Sequence, residues 1–456
     1  MDLRNAPEIL VHGGRIIDPA RGIDQMGNLW LRQGTVSEIT PPAPAPEGRR
    51  GLLVVNAAGA IVCPGFIDVH CHLRDPGEEQ KETIATGTRA AARGGFTAVC
   101  AMANTKPPVD NRAVVEYIQR TAAARAVVRV YPLATVTQGM AGRELTEMAD
   151  LAEAGVVAFS DDGRPIVDSG VMRHALEYSR LIERPIMVHE EDPSLSAGGV
   201  MNEGPVATRL GLKGWPGVAE EVMIARDLAL CEVTGGFLHI AHVTTARGVE
   251  IIRRARERGI QFTAEATPHH LTLTDEWVAG WRPDGRRGMP YDTATKVNPP
   301  LRSEADRQAL VAALRDGTID LIGTDHAPHS DVDKLCEYNT AAFGISGLET
   351  ALAVLLGLVH AGELSLPLLI RRLTCEPARA FHLPGGTLAP GMPADVCVFD
   401  PDATWTVDPS EFASLGHNTP LAGMTLRGKV IATICGGRLV YVDERRKEIL
   451  SGEVAA

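Results

Sequence analysis

The chain lacks the marks of several protein classes. It has no C-x-x-C pair: its eight cysteines, Cys63, Cys71, Cys100, Cys231, Cys336, Cys375, Cys397 and Cys435, are scattered. That argues against a disulfide framework or a cysteine-built zinc knot and fits reduced thiols. No uncharged apolar run reaches the roughly 20 residues that cross a bilayer. Residues 1–14 carry no basic flank followed by a long apolar core, so no secretory signal is expected and a cytoplasmic location is. Positive charge is scarce as well. The 45 Lys and Arg stand against 57 Asp and Glu, a net charge of -12, so neither nucleic acid nor an anionic membrane is an expected partner. Low-complexity segments are absent, and so is any internal repeat beyond a strand-and-helix unit.

What is present is a globular composition, 45% hydrophobic and 22% charged over 456 residues, enough for a large barrel with an accessory domain. From residue 61 onward, apolar β-branched runs alternate with helical segments. The eight runs are 61–70, 96–103, 127–135, 156–160, 185–189, 237–243, 261–266 and 319–324. Ser303 with Asp306 has the pattern of a capping box, and Gly317 sits where that helix would stop. Eight apolar strands alternating with helices predict an α/β fold built on a (β/α)8 TIM barrel. Both chain ends instead read as short strands and turns, with a Pro/Ala loop at 41–50. The expected organisation is therefore a β-sandwich from residues 1–60 and 383–456, packed beside a catalytic barrel of residues 61–382.

In such a barrel the chemistry sits at the carboxyl ends of the strands. The first run ends in His70-Cys71-His72, followed by Arg74. Strand alternation turns both histidines the same way. Alone, that pair would be incidental. The other runs decide, because they deliver Asn104, Asp161 and Asp162, His189, His242, Asn298, Asp325 and His329 to the same rim. Four histidines and two carboxylates converging there point to a metal centre, and they exceed what one tetrahedral ion needs. A pair of divalent ions sharing a bridging carboxylate fits, and suits hydrolysis of an amide-like bond or the reverse ring closure. Alternation makes His239 and His242 alternatives, with His242 favoured because it is nearer the strand end. Asp161 and Asp162 are alternatives in the same way. His269-His270 fits packing under the rim as well as it fits a ligand role. Arg74 beside a metal centre is suited to a carboxylate or phosphate. Asn104 and His329 could reach the same anion, and Asn298 a ring amide. Each asparagine alone reads equally as a turn residue.

These stretches resemble the class I bacterial dihydroorotases of the cyclic amidohydrolase superfamily. The motifs are DVHCHLRDPG at 68–77, ANTKP at 103–107, FSDDG at 159–163, VHEEDP at 188–193, AHVTT at 241–245, TPHHLT at 267–272, KVNPPLR at 296–302, GTDHAPH at 323–329 and FGISGLET at 343–350. They follow the family's order across nearly the whole chain. The resemblance implies a zinc-dependent hydrolase that reversibly closes N-carbamoyl-L-aspartate to L-dihydroorotate in pyrimidine synthesis. It implies His70, His72 and Asp325 on one Zn2+, His189 and His242 on a second, and Asp162 rather than Asp161 as the bridge. Residues 154–163 contain no lysine, which points to the aspartate-bridged class and away from typical hydantoinases and allantoinases. Asp325 would be the general acid and base. His72, Arg74, Asn104 and His329 would surround the substrate carboxylate, and Asn298 with the backbone of Phe343 and Gly344 the ring. A homo-oligomer and an aspartate carbamoyltransferase partner are further expectations; the alternatives are another cyclic amidase of the hydantoinase or allantoinase type and a non-catalytic scaffold for that carbamoyltransferase. The run 334–342 departs from the family pattern but removes no ligand.

Overall fold

The computed structural model describes residues 6–46, 49–282 and 285–451. Residues 1–5 of the N-terminal stretch, 47–48 of the Pro/Ala loop and 452–456 at the end of the third expected segment lie outside the described residues. Among the described residues, no helix is long and apolar enough to cross a membrane.

The barrel strands are parallel and short. Phe66–Cys71, Phe96–Ala101 and Arg129–Pro132 form one arc. Ile186–Val188, Leu238–Ile240, Thr263–Ala266 and Leu321–Ile322 form another. The expected fourth strand has no ladder of its own. Phe159 joins the arcs through single parallel bridges to Ala134 and Ile186, and a further bridge from Cys71 to His326 brings the last strand back to the first. Phe66, Phe96 and Phe159 are fully buried in the shared core. Helices cover the outside. Ser303 and Asp306 form the expected capping box on Glu304–Asp316, and Gly317 ends that helix with φ at +88°.

Strands from both ends of the chain form a nine-stranded sheet around a separate core that includes Ile9, Leu29, Val62, Val398 and Ile434. Glu8–Asp18 organises it. Its first half pairs with Leu52–Asn56 and its second half with Ile61–Pro64, while along its other edge it pairs with Ile23–Arg32, where the register shifts between Val11 and Gly14.

This pairing corrects one boundary. Residues 61–70 read as a single barrel strand, but Ile61–Pro64 pairs with the terminal strand Val396–Thr406 and belongs to the sheet. The barrel strand starts only at Phe66. Gly65 makes the switch possible, since a Cβ there would stand 2.2 Å from Thr97 side-chain atoms. The run looks continuous because both halves are buried, so apolar character alone does not mark the change of partner.

Candidate metal centre

His70 and His72 leave the first barrel strand on the same side, their rings 5.4 Å apart. Asp162 faces them from the loop after Phe159. Its Oδ1 lies 3.6 Å from His70 Nε2 and its Oδ2 3.5 Å from His72 Nε2. From the opposite side, His189 Nδ1 and His242 Nε2 approach Asp162 Oδ1 to 3.4 and 3.5 Å, and each other to 2.9 Å. The donor atoms fall into two triads, His70–His72–Asp162 and Asp162–His189–His242, with Asp162 common to both. Asp325 Oδ1 closes the first side, 3.1 Å from His72 Nε2 and 3.6 Å from His70 Nε2.

The alternatives separate by direction. Asp161 accepts from the backbone N–H groups of Val136 and Thr137 and from the Thr137 hydroxyl, so its carboxylate secures the third barrel loop. His239 packs its ring on Phe381 and contacts Thr263 and Glu265. His270 bonds Thr267 and the Pro299 carbonyl, and His269 is buried beside it.

The outer partners set the tautomers. His70 Nδ1–H donates to Glu265 Oε1 at 2.6 Å, His72 Nδ1–H to Asn104 Oδ1 at 3.0 Å, and His189 Nε2–H to Glu191 Oε2 at 3.0 Å. In each neutral ring the other nitrogen then carries a lone pair, and that nitrogen is the one facing Asp162. Lone pairs therefore confront carboxylate oxygens in a buried space. His70 Nε2 and Asp162 Oδ1 have no hydrogen-bond partner at all. Such an arrangement is repulsive unless positive charge sits between the groups. The same demand appears in proton affinity. Burial opposes charge on His189, yet the Asp162 and Glu191 carboxylates draw its pKa up to about 10. Burial likewise disfavours ionised Asp162, but His189, His242 and His70 hold it well below the usual carboxylate range. The donor set, imidazole nitrogens with shared carboxylate oxygens, suits zinc or a similar divalent ion.

The seven expected substrate contacts, His72, Arg74, Asn104, Asn298, His329, Phe343 and Gly344, line one cavity of about 240 Å³ together with Asp162, His189 and Asp325. Arg74 is half-buried, its Nε donating to the Pro328 carbonyl at 3.3 Å and its Nη2 lying 3.4 Å from His329 Nε2. His329 Nε2–H donates to the Phe343 carbonyl at 2.7 Å; burial, with Arg74 and Lys334 nearby, pushes its pKa down to about 3 and keeps it neutral. Asn298 Nδ2 reaches Glu191, while its buried Oδ1 has no partner. Asn104 lines the cavity too, but its amide is already engaged with His72 and Asp162. Arg74, His242 and Asp325 all hold positive φ, at 59°, 31° and 47°. Strain of this kind costs about 1–3 kcal/mol per residue and gathers at functional sites.

Residues 59–247 match a family model described as dihydro-orotase-like, and residues 233–441 one described as the amidohydrolase family. The dihydroorotase of Anaeromyxobacter dehalogenans (strain 2CP-1 / ATCC BAA-258) is 52% identical over 437 residues, 96% of this chain and 98% of that protein. The chain belongs to the dihydroorotase family. The dihydroorotase of Syntrophus aciditrophicus (strain SB) is similar at 50% identity, over 96% of this chain and 100% of its own length. Among solved structures, the L-hydantoinase (dihydropyrimidinase) from Arthrobacter aurescens aligns with a TM-score of 0.83 at 26% identity, over 98% of this chain and 97% of that one. A D-hydantoinase from Thermus sp. aligns at 0.80 and 22% identity, over 95% and 96%, and shows the shared fold. Membership of the dihydroorotase family makes the chain a metal-dependent hydrolase of cyclic amides.

Sequence reasoning missed Glu265, the residue that organises this candidate centre from behind. It accepts from His70 Nδ1–H, from His239 Nε2–H at 3.2 Å and from the His242 backbone N–H at 3.4 Å. A signal existed: Glu265 is the sole charge in the strand Thr263–Ala266, and an ionised group buried in a strand needs partners. Glu191 was visible only as a neighbour of His189.

Proposed function

We propose that the chain is a class I dihydroorotase that interconverts L-dihydroorotate and N-carbamoyl-L-aspartate in the cytoplasm, with a pair of zinc ions bridged by Asp162. The observation that carries the metal reading is the set of lone pairs turned on Asp162, with His70 Nε2 and Asp162 Oδ1 buried and unpaired. His70, His72 and Asp325 would hold one ion, and His189 and His242 the other. When bound, ions here supply Lewis acidity at the amide carbonyl and make water more acidic.

The protein's own groups do the rest. Asp325 is close enough to His70 and His72 to face the attacking water. Burial pushes its carboxyl up, but the imidazoles of His70 and His72 beside it outweigh that and hold it well below the usual carboxylate range, ionised as a base must be. It takes the water proton as the oxygen bonds to the ring carbonyl carbon. It then delivers that proton to the ring nitrogen as the carbon–nitrogen bond breaks. Ring closure runs the same transfers backwards. Arg74, His72, Asn104 and His329 surround the substrate carboxylate. Asn298 Oδ1, free of protein partners, accepts from a ring N–H, beside the Phe343 and Gly344 backbone.

Hydantoinase activity is the competing reading, since hydantoinases are structural neighbours. A half-buried arginine lining the cavity favours a substrate that carries a carboxylate. Ring opening of dihydroorotate, hydantoin and allantoin on one metal-analysed sample separates the two. Dihydroorotate should be opened fastest; its absence at full metal loading would reject the proposal. A homo-oligomer and an aspartate carbamoyltransferase partner remain part of the proposal through the family resemblance.

A further inference from the structure

Asn418 lies in the C-terminal segment, far along the chain from the barrel strands, and does not line the substrate cavity. It nevertheless ties together two of that cavity's walls. Its Oδ1 accepts from the His329 backbone N–H and from Ser346 Oγ–H, both at 2.9 Å. Its Nδ2 donates to the carbonyls of Ala327, at 3.1 Å, and Gly344, at 2.9 Å. A primary amide offers two donor hydrogens and two acceptor lone pairs, and here all are used. The main chain adds a bond from Ser346 N–H to the Asn418 carbonyl at 2.9 Å. The side chain is buried, so none of these partners can exchange to water without cost.

The segment is built to lie this close. A Cβ on Gly416 would stand 2.4 Å from Pro328 Cβ and 2.9 Å from the His329 nitrogen, so only glycine lets the chain rest on that wall. Pro328 in turn holds Arg74 through its carbonyl. The two walls otherwise meet through His329 Nε2–H to Phe343 O and Ala327 N–H to Ile345 O.

We infer that Asn418 is a positioning residue of the substrate pocket: by joining Ala327 and His329 to Gly344 and Ser346, it sets the spacing between the group that meets the substrate carboxylate and the backbone that meets the ring. The inference rests on the substrate reading given under Proposed function. Asn418 touches none of His70, His72, Asp162, His189, His242 and Asp325, so its effect belongs to binding rather than to the metal centre.

The test compares wild type, Asn418→Asp and Ser346→Ala for KM and kcat with dihydroorotate, zinc content and melting temperature. Aspartate keeps the shape but has no donor, and it turns a carboxylate on two carbonyl oxygens. KM should rise on the order of tenfold, the scale of one or two lost buried hydrogen bonds, with kcat and zinc content close to wild type. Ser346→Ala removes one bond and should raise KM about twofold. If Asn418→Asp does not fold, Ser346→Ala carries the test. A wild-type KM in every folded variant overturns the inference, and so does a fall in kcat and zinc content at constant KM. The substrate reading fails separately, if the wild type itself does not turn over dihydroorotate.

Discussion

Replacing Glu265 by glutamine should weaken metal binding without unfolding the protein. Glu265 is fully buried, yet stays ionised: burial pushes its pKa up, and His70 and His239 bring it down to about 2. In Glu265→Gln the amide oxygen can still accept from His70 Nδ1–H. The new NH2 then faces His239 Nε2, which must become the acceptor. His239 can do so by moving its proton to Nδ1 and donating to Thr263 Oγ1, 2.7 Å away. The hydrogen bonds survive, and the charge that makes His70 a better ligand is lost. Outer-shell changes of this kind cost about 10–100-fold in metal affinity, or about 1.4–2.8 kcal/mol. Glu265→Ala also orphans the donors of His70, His239 and His242, and should lower folding stability by on the order of 3–5 kcal/mol. Competition with a chelator of known affinity, run beside thermal melting, reads both effects. Glu265→Gln binding zinc within about twofold of wild type would refute the view that this carboxylate tunes His70.

The remaining predictions concern turnover, binding and pH. Asp325→Asn should retain most of its metal while turnover falls about 10²–10⁴-fold, since the proton carrier is gone; near-normal turnover would remove Asp325 from that role. Arg74→Ala should raise KM for dihydroorotate by roughly 30-fold or more and change kcat less; an unchanged KM would contradict the anion contact. Glu349 is buried, and that burial lifts its pKa to about 7 although Arg93 offsets part of the effect. The folded state thus takes up this proton before the unfolded state does. Its contribution to stability falls as pH rises from about 4.5 to about 7, by roughly 3 kcal/mol, and is flat above. Glu349→Gln should remove that slope in denaturant melts taken across the window, and an unchanged slope would assign it elsewhere.

The local rules of strand geometry were enough to bring together much of the candidate centre. Alternation put His70 with His72 and made His239 and His242 alternatives, because the side-chain period of a strand does not depend on its surroundings; His242 was favoured for its nearness to the strand end, and it lies just past Ile240. The split within 61–70 was hidden because both halves are buried and the change of partner occurs at Gly65, where only the nearness of Thr97 shows why glycine stands there. Residues acting through space were the least visible. Asn418 meets Gly344 and His329 across 74 and 89 residues of chain, and no periodicity links such positions. Asn104 was legible as a rim residue, but its bonds to His72 and Asp162 depend on where two other strands end.

Metal dependence is the centre of the account, and stripping the protein of metal and returning zinc in measured amounts tests it most directly. Dihydroorotate turnover should be absent from the stripped, folded protein and should climb until both triads around Asp162 are filled, near a pair of ions per chain. Full turnover by the metal-free protein, or saturation of zinc binding without any turnover of dihydroorotate, would contradict it.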